Sequence, residues 1–136
     1  MELIIDANII ISALISMRGK TRDLIFLNNF SLFAPEYLTE EIEKYKSEII
    51  EKSELDTKSF KLATSLIFSK IKLIPFSEFE SSINKAKDIC PDSNDVEYFA
   101  LALSKNLSIW FDDKALKQQP RIKVFSTTEL IKKLGL

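Results

Sequence analysis

The sequence contains no histidine, two glycines and one cysteine among its 136 residues. Without histidine, Ser-His-Asp and Cys-His catalysis are excluded, and so is a zinc site with histidine ligands. Gly19 and Gly135 are too few glycines for a P-loop or a dinucleotide-binding fingerprint. The single cysteine, Cys90, excludes an internal disulfide and a metal site built from cysteines. The residues that remain for chemistry are carboxylates, since Asp and Glu together number 20.

Net charge and long apolar runs are also scarce. The formal charge is −1, so the chain has no strong positive field over a large face, although a local basic rim is compatible with this value. No apolar run approaches the roughly 18 residues of a membrane span, and the N-terminus lacks the pattern of a secretory signal. We therefore expect a soluble cytoplasmic protein with no membrane segment.

Short apolar runs alternate with longer amphipathic segments in a chain that is 46% hydrophobic and 29% charged. This composition and length predict one folded domain over residues 1–136. The predicted strands cover residues 3–5, 31–34, 71–74, 107–111 and 122–125. The predicted helices cover residues 9–14, 21–28, 36–51, 55–70, 77–89, 92–105 and 126–135, with a short turn over 114–118. Strands separated by helices predict an α/β fold, a three-layer α/β/α sandwich with a central, mainly parallel sheet of about five strands.

Two details of these helices are specific enough to test. Residues 77–80 and 126–129 both read Ser-x-x-Glu, the spacing of a capping box at a helix N-terminus. In the helix over 55–70, Leu62, Leu66 and Ile67 are expected to face the core.

Aspartates follow two of the predicted strands at the point where each strand ends. Asp6 follows the first strand, and Asp112 and Asp113 follow the fourth. In parallel sheets covered by helices, ligands bind beyond the carboxyl ends of the strands. Two helices add carboxylates at the same edge, because they begin there. They carry Asp92 with Asp95, and Glu40 with Glu41.

Clustered carboxylates raise one another's pKa, and a bound divalent cation removes that conflict. Oxygen ligands suit Mg²⁺ or Mn²⁺, and the lack of histidine and cysteine ligands argues against zinc. A metal held by carboxylates can orient a phosphate, stabilise its developing charge and lower the pKa of a bound water. The implied reaction is metal-assisted hydrolysis of a phosphodiester.

Each acidic residue taken alone also has an ordinary structural interpretation. Asp92 has the place of a helix cap, and Asp112 with Asp113 has the place of a turn. Glu40 and Glu41 would be solvated residues of a helical first turn. The combination of four segments at one edge is more specific than any member.

At these positions the sequence resembles the PIN domain family, a metal-dependent ribonuclease family that includes toxins of toxin–antitoxin pairs. The resemblance covers nearly the whole chain. It is carried in order by residues 3–12 (LIIDANIIIS), 35–42 (PEYLTEEI), 92–102 (DSNDVEYFALA) and 109–116 (IWFDDKAL). The last segment departs from the family pattern, because Phe111 stands at a threonine position and Asp112 at a small polar position.

The resemblance implies that Asp6, Glu41, Asp95 and Asp113 are the catalytic residues around Mg²⁺ or Mn²⁺. It leaves Asp92 and Asp112 as further metal ligands, with Asp113 favoured over Asp112 because Lys114 follows it. Asn8, Ser12 and Glu40 are predicted to support these ligands. Asn8 could instead be a helix N-cap, and Ser12 could instead be a helix residue that faces the core. Glu40 could take the place of Glu41 as the site residue.

The resemblance further implies RNA as the substrate, an antitoxin protein as a partner, and a homodimer built on the apolar stripes of the helices over 36–51 and 55–70. Arg18, Lys20, Arg22 and Lys114 are candidate contacts for RNA phosphates, with solvated loop residues as the alternative. The competing function is a catalytically idle RNA-binding or scaffold domain of the same fold. A haloacid dehalogenase-type phosphatase does not fit, because Asn8 stands where its second aspartate is needed. A receiver domain does not fit either, because Pro75 follows the predicted middle strand.

Overall fold

The computed structural model describes residues 1–16 and 19–136, apart from the Lys114 side chain. Its five strands form one sheet in the order β3-β2-β1-β4-β5, and every neighbouring pair is parallel. The strands are β1 (Glu2–Ile5), β2 (Ser31–Pro35), β3 (Ile71–Ile74), β4 (Ser108–Trp110) and β5 (Val124–Phe125). The predicted α/β architecture with a parallel five-stranded sheet is confirmed.

Helices connect these strands. In the described ranges they are α1 (Ala7–Ile15), α2 (Lys20–Ile25), α3 (Tyr37–Lys44), α4 (Lys46–Ser53), α5 (Thr57–Phe68), α6 (Ile83–Ile89), α7 (Val96–Lys105) and α8 (Thr127–Lys133). Within the part of the chain that the structure describes, no helix is long and apolar enough to cross a membrane.

The core is centred on β1, which pairs with β2 on one side and β4 on the other. Leu3, Ile4 and Ile5 are each 0% exposed, because helices cover both faces of the strand. Burying a side chain of this kind stabilises the fold by roughly 1.5–3 kcal/mol. This burial fixes where β1 ends, and therefore where the polar residue that follows it must lie.

The predicted helix over 36–51 is two helices, α3 and α4, which meet at Tyr45. The Tyr45 backbone leaves helical geometry, with φ −98° and ψ 8°. Its N–H still donates to the Glu41 carbonyl, and the Ile49 N–H donates to the Tyr45 carbonyl to begin the next helix. The break allows α4 to pack against α1 with Ile49 fully buried.

The apolar face predicted for α5 is partly wrong. Ile67 is buried as expected and shares the inner face with Phe60, seven residues earlier. Leu62 is 63% exposed and Leu66 is 48% exposed, so both point outward. The helix is apolar over more of its circumference than the core covers.

The two predicted capping boxes have different outcomes. Residues 76–82 form two 3₁₀ turns instead of a helix start, because Phe79 is fully buried with a non-helical backbone (φ −130°). The second box is confirmed: the Ser126 hydroxyl accepts from the Glu129 N–H, and the Ser126 N–H donates to the Glu129 carboxylate, both at 3.1 Å.

Candidate functional site

The carboxyl ends of β1 and β4 open into a cavity of about 170 Å³, which we call the acidic cavity. Five of its described lining residues are carboxylates, and all five are residues that the sequence predicts for the site. They are Asp6, Glu41, Asp92, Asp95 and Asp113. These carboxylates come from four segments of the chain, two that follow strands β1 and β4 and two that begin helices. The topology brings the four segments to one edge of the sheet.

Asp6 is the deepest of these carboxylates. It follows β1 directly and is only 2% exposed. It also caps α1, since its Oδ2 accepts from the Asn8 N–H at 2.8 Å. Burial, with smaller contributions from Asp95 and Glu41, raises the pKa of Asp6 to about 8. Near neutral pH this carboxyl is therefore mostly protonated unless a positive charge comes close to it.

A 3₁₀ turn over Ser93–Asp95 leads into α7. Asp92 comes directly before this turn, and Asp95 is its last residue. Asp92 is exposed and caps that turn, accepting from the Asn94 N–H at 2.9 Å. Asp95 is half-buried and is the N-cap of α7, but its side chain makes no capping hydrogen bond. Burial and then the charges of Asp92, Glu41 and Asp113 raise the pKa of Asp95 to about 6. Its carboxylate is therefore free to serve another purpose.

The two aspartates after β4 lie in different surroundings. Asp113 lines the acidic cavity and accepts one hydrogen bond, from the Ala115 N–H at 2.9 Å. Asp112 is not among the described lining residues. Its two oxygens accept from the Thr127 N–H (2.7 Å) and hydroxyl (3.0 Å), and that hydroxyl also accepts from the Trp110 indole. The geometry favours Asp113 as the site residue and a structural role for Asp112.

The neighbouring residues Glu40 and Glu41 on α3 also lie in different surroundings. Glu41 is half-buried in the acidic cavity, whereas exposed Glu40 lines a separate recess on the outside of the helix. Burial raises the pKa of Glu41. The hydroxyl of Tyr98 donates to Glu41 Oε1 at 2.5 Å. Burial, followed by the charge of Glu41, raises the pKa of Tyr98 above its ordinary range.

The structure contradicts the alternative roles that the sequence left open for Asn8 and Ser12. Asp6, and not Asn8, is the N-cap of α1. Exposed Asn8 lines the acidic cavity, so its predicted supporting role stays a prediction. Ser12 is exposed, which contradicts the core-facing alternative, and it is not among the described residues lining the cavity.

The structure describes the side chains of two of the four predicted RNA contacts, Lys20 and Arg22. Arg18 and the Lys114 side chain lie outside what the structure describes. Lys20 is exposed, and Arg22 lies half-buried in a groove between α2 and α5. Neither of these two is among the described residues lining the acidic cavity.

Sequence reasoning missed two residues that contact this site. Lys44 is the only basic side chain among the described lining residues. Tyr98 reaches the site through its hydrogen bond to Glu41. Both could have been found from helical spacing, since Lys44 follows Glu41 by three residues and Tyr98 follows Asp95 by three.

The donor set of the acidic cavity fits a divalent cation in its chemistry. Five carboxylates face one ammonium group, that of Lys44, and the ionisation of Asp6 and Asp95 is opposed by burial and by like charges. A hard cation is the partner that such oxygens lack. In the described residues no three such side chains already lie close enough to hold a metal ion.

Comparison with known proteins identifies the family. A family model described as PIN domain matches residues 4–129. The chain therefore belongs to the PIN domain family, as the sequence resemblance predicts. PIN domains are generally nucleases, and they generally use divalent metal ions.

A solved structure of similar fold is that of VapBC2 from Rickettsia felis bound to a DNA fragment from their promoter. A chain of that structure matches with a TM-score of 0.63 and 15% sequence identity, covering 93% of this chain and 98% of that chain. At this identity the likeness shows the fold alone. No curated protein matches the sequence.

Proposed function

We propose that this protein is a metal-dependent endoribonuclease that hydrolyses RNA phosphodiester bonds. The observation that carries the proposal is the acidic cavity, where five carboxylates meet one described basic side chain. Such an imbalance has a large electrostatic cost in a folded protein unless a cation is bound. Membership in a family of nucleases supports the same reaction class.

In this proposal Asp6, Glu41, Asp95 and Asp113 hold Mg²⁺ or Mn²⁺, and Asp92 contributes from the rim. The ion, when bound, supplies charge stabilisation for the phosphodiester and a more acidic water. Asp6 holds its position from the end of the central strand, which keeps the deepest ligand rigid. Lys44 places one positive charge beside the carboxylates, where it can contact a phosphate oxygen.

The alternative of a catalytically idle RNA-binding domain is less well supported. An idle domain has no need to keep Asp6 buried and Asp95 without a capping hydrogen bond. Exposed Lys20, together with Arg18, Arg22 and Lys114, remains our proposal for phosphate contacts further along the RNA.

Two protein partners belong to the proposal. The fold shared with the VapBC2 structure supports an antitoxin as a partner. The exposed Leu62 and Leu66 on α5 support a homodimer, because they offer an apolar surface that the monomer does not cover. Light scattering at micromolar concentration tests the dimer. A mass of one 15.6 kDa chain would contradict it.

The nuclease proposal is tested by incubating the purified protein with mixed RNAs in MnCl₂ or in EDTA. We expect cleavage in MnCl₂ but not in EDTA, and a loss of cleavage on the order of 10² or more in Asp113→Asn. Asp112→Asn is the matched control, since it changes the adjacent carboxylate outside the cavity. Single-stranded DNA of the same sequence tests the preference for RNA. Cleavage in EDTA, or a wild-type rate in Asp113→Asn, would contradict the proposal.

A further inference from the structure

We propose that Tyr98 is a positioning residue that holds Glu41 in the orientation required for binding the metal. This inference rests on the proposed nuclease function and adds a residue that the carboxylate pattern does not contain. The Tyr98 hydroxyl donates to Glu41 Oε1 at 2.5 Å, although the two residues are 57 positions apart in the chain. The bond is therefore a tertiary link and not a consequence of local helix geometry.

Tyr98 is well suited to hold another group in place. It is 1% exposed, so its ring is fixed by the core. A tyrosine remains protonated at neutral pH, and its hydroxyl is therefore a constant donor. With Oε1 of Glu41 engaged, Oε2 is the oxygen left for a cation. A long, half-buried glutamate side chain is thereby restricted before any metal arrives.

The link also joins two sides of the acidic cavity. Glu41 lies on α3, whereas Tyr98 lies on α7 one helical turn after Asp95, the N-cap of that helix. Residues three apart on a helix share a face. Through Tyr98, Glu41 is hydrogen-bonded to the same helix that carries Asp95 at its N-terminus. Both carboxylates are among our proposed ligands.

The expected consequence is a higher metal affinity. Groups that orient a metal ligand typically change affinity or activity by about 10–100-fold when they are removed. Because Tyr98 does not touch the reacting atoms, its loss should raise the metal concentration required far more than it lowers the rate at saturating metal.

The first test is calorimetric titration of the metal-free protein with MnCl₂. Tyr98→Phe keeps the ring and removes only the hydroxyl, and we expect its Kd for Mn²⁺ to rise by about 10-fold. Ser104→Ala is the matched control, because it removes one hydroxyl donor from the same helix at a bond to the Glu78 carbonyl. We expect this control to bind Mn²⁺ as the wild type does. An unchanged Kd in Tyr98→Phe would overturn the inference.

A double-mutant cycle separates positioning from general destabilisation. If Tyr98 acts through Glu41, adding Tyr98→Phe to Glu41→Gln should have little further effect on Mn²⁺ binding. Additive losses would overturn the inference. RNA cleavage gives the second readout, since raising the MnCl₂ concentration should restore the rate of Tyr98→Phe. A rate that stays low at saturating MnCl₂ would also count against positioning.

A second measurement tests the inference if Tyr98→Phe does not fold. The wild type supplies it: MgCl₂ should change the ultraviolet absorption of the buried tyrosine, and Glu41→Gln should abolish the change. A flat difference spectrum with Mg²⁺ bound would refute the inference. Failure of the nuclease proposal itself looks different, because the wild type would then neither bind Mn²⁺ nor cleave RNA.

Discussion

Two groups of carboxylates lie beside the carboxyl end of β4, one toward β5 and the other, in the acidic cavity, toward β1. They differ in how well hydrogen-bond donors match them. In the first, which we call the capped corner, Asp112 accepts twice from Thr127, and Glu129 accepts from Ser126 and pairs with Lys117. In the acidic cavity, Asp6 is buried with one side-chain hydrogen bond, from the Asn8 N–H, and Asp95 has no capping bond. Asp112 therefore has a donor for each carboxylate oxygen, whereas Asp95 has no capping donor.

We propose that this difference separates structural carboxylates from functional ones. A carboxylate with donors stabilises the fold, whereas a buried carboxylate among like charges destabilises it when ionised. The free energy lost in the acidic cavity is understandable if a ligand restores it on binding. Proximity in sequence is a poor guide to these surroundings. Both oxygens of Asp112 accept from Thr127, whereas its neighbour Asp113 lines the acidic cavity and accepts from the Ala115 N–H.

The largest expected effect is on the rate of RNA cleavage when either of the two aspartates after β4 is substituted. Asp113→Asn should lower cleavage by a factor on the order of 10² or more, about 3 kcal/mol in the activation barrier. Asp112→Asn should be milder, because its oxygens are bonded to Thr127. Adding Asp6→Asn to Asp113→Asn should cost little more, since both would act through one metal. The reverse order of the two single effects, measured as kcat/KM, would place the site one residue earlier.

The next effect is on stability in the presence of metal. Mn²⁺ at 100 times its Kd should raise the free energy of unfolding by about 2.7 kcal/mol, provided that it binds only the native state. Asp6→Asn should reduce that gain, and Asp112→Asn should retain it. Thermal unfolding with and without MnCl₂ measures both. An equal gain in Asp6→Asn and the wild type would remove Asp6 from the ligand set.

A smaller effect concerns pH in the absence of metal. The pKa of Asp6 is about 8 in the folded protein and near 3.8 without that environment. The folded state therefore binds the extra proton, and stability falls as the pH rises from about 4 to 8. At pH 8 in EDTA, Asp6→Asn should raise the free energy of unfolding, because the amide places no charge in the buried position. Chemical denaturation at pH 5 and pH 8 checks the sign: the gain should shrink at the lower pH.

The smallest effect is in the capped corner. Ser126→Ala removes the capping hydroxyl of α8 and should destabilise the protein by about 1 kcal/mol. We expect Mn²⁺ affinity to stay unchanged, because the hydroxyl binds the Glu129 N–H and no residue of the acidic cavity. A large loss of Mn²⁺ binding would show that the two regions are coupled.

Much of the fold could be predicted from the sequence because burial leaves a simple pattern. The runs around Ile4, Phe33 and Ile109 are short, apolar and bounded by polar residues, which predicted parallel strands. The strand ends then located Asp6 and Asp113 at one edge without any knowledge of side-chain contacts.

The rest depended on tertiary contacts that periodicity does not contain. The break at Tyr45 exists so that α4 can lie on α1, and the buried Phe79 replaces a predicted helix start with 3₁₀ turns. Leu62 is apolar but outside the core. At the site, helical spacing places Tyr98 near Asp95, but its hydrogen bond to Glu41 depends on where α7 lies relative to α3, which spacing does not specify.

The central place of β1 in the sheet sets the order in which the molecule can be completed during synthesis. β1 precedes β4 by about a hundred residues in the chain, so one of its two sides stays unpaired until β4 has been made. A nascent chain that ends before α7 carries Asp6 and Glu41 but lacks Asp95 and Asp113. Because such non-local pairing is slow to form, the acidic cavity closes late. The carboxylates of the acidic cavity can therefore meet only after Asp113 has been translated, although Asp6 is among the first residues made.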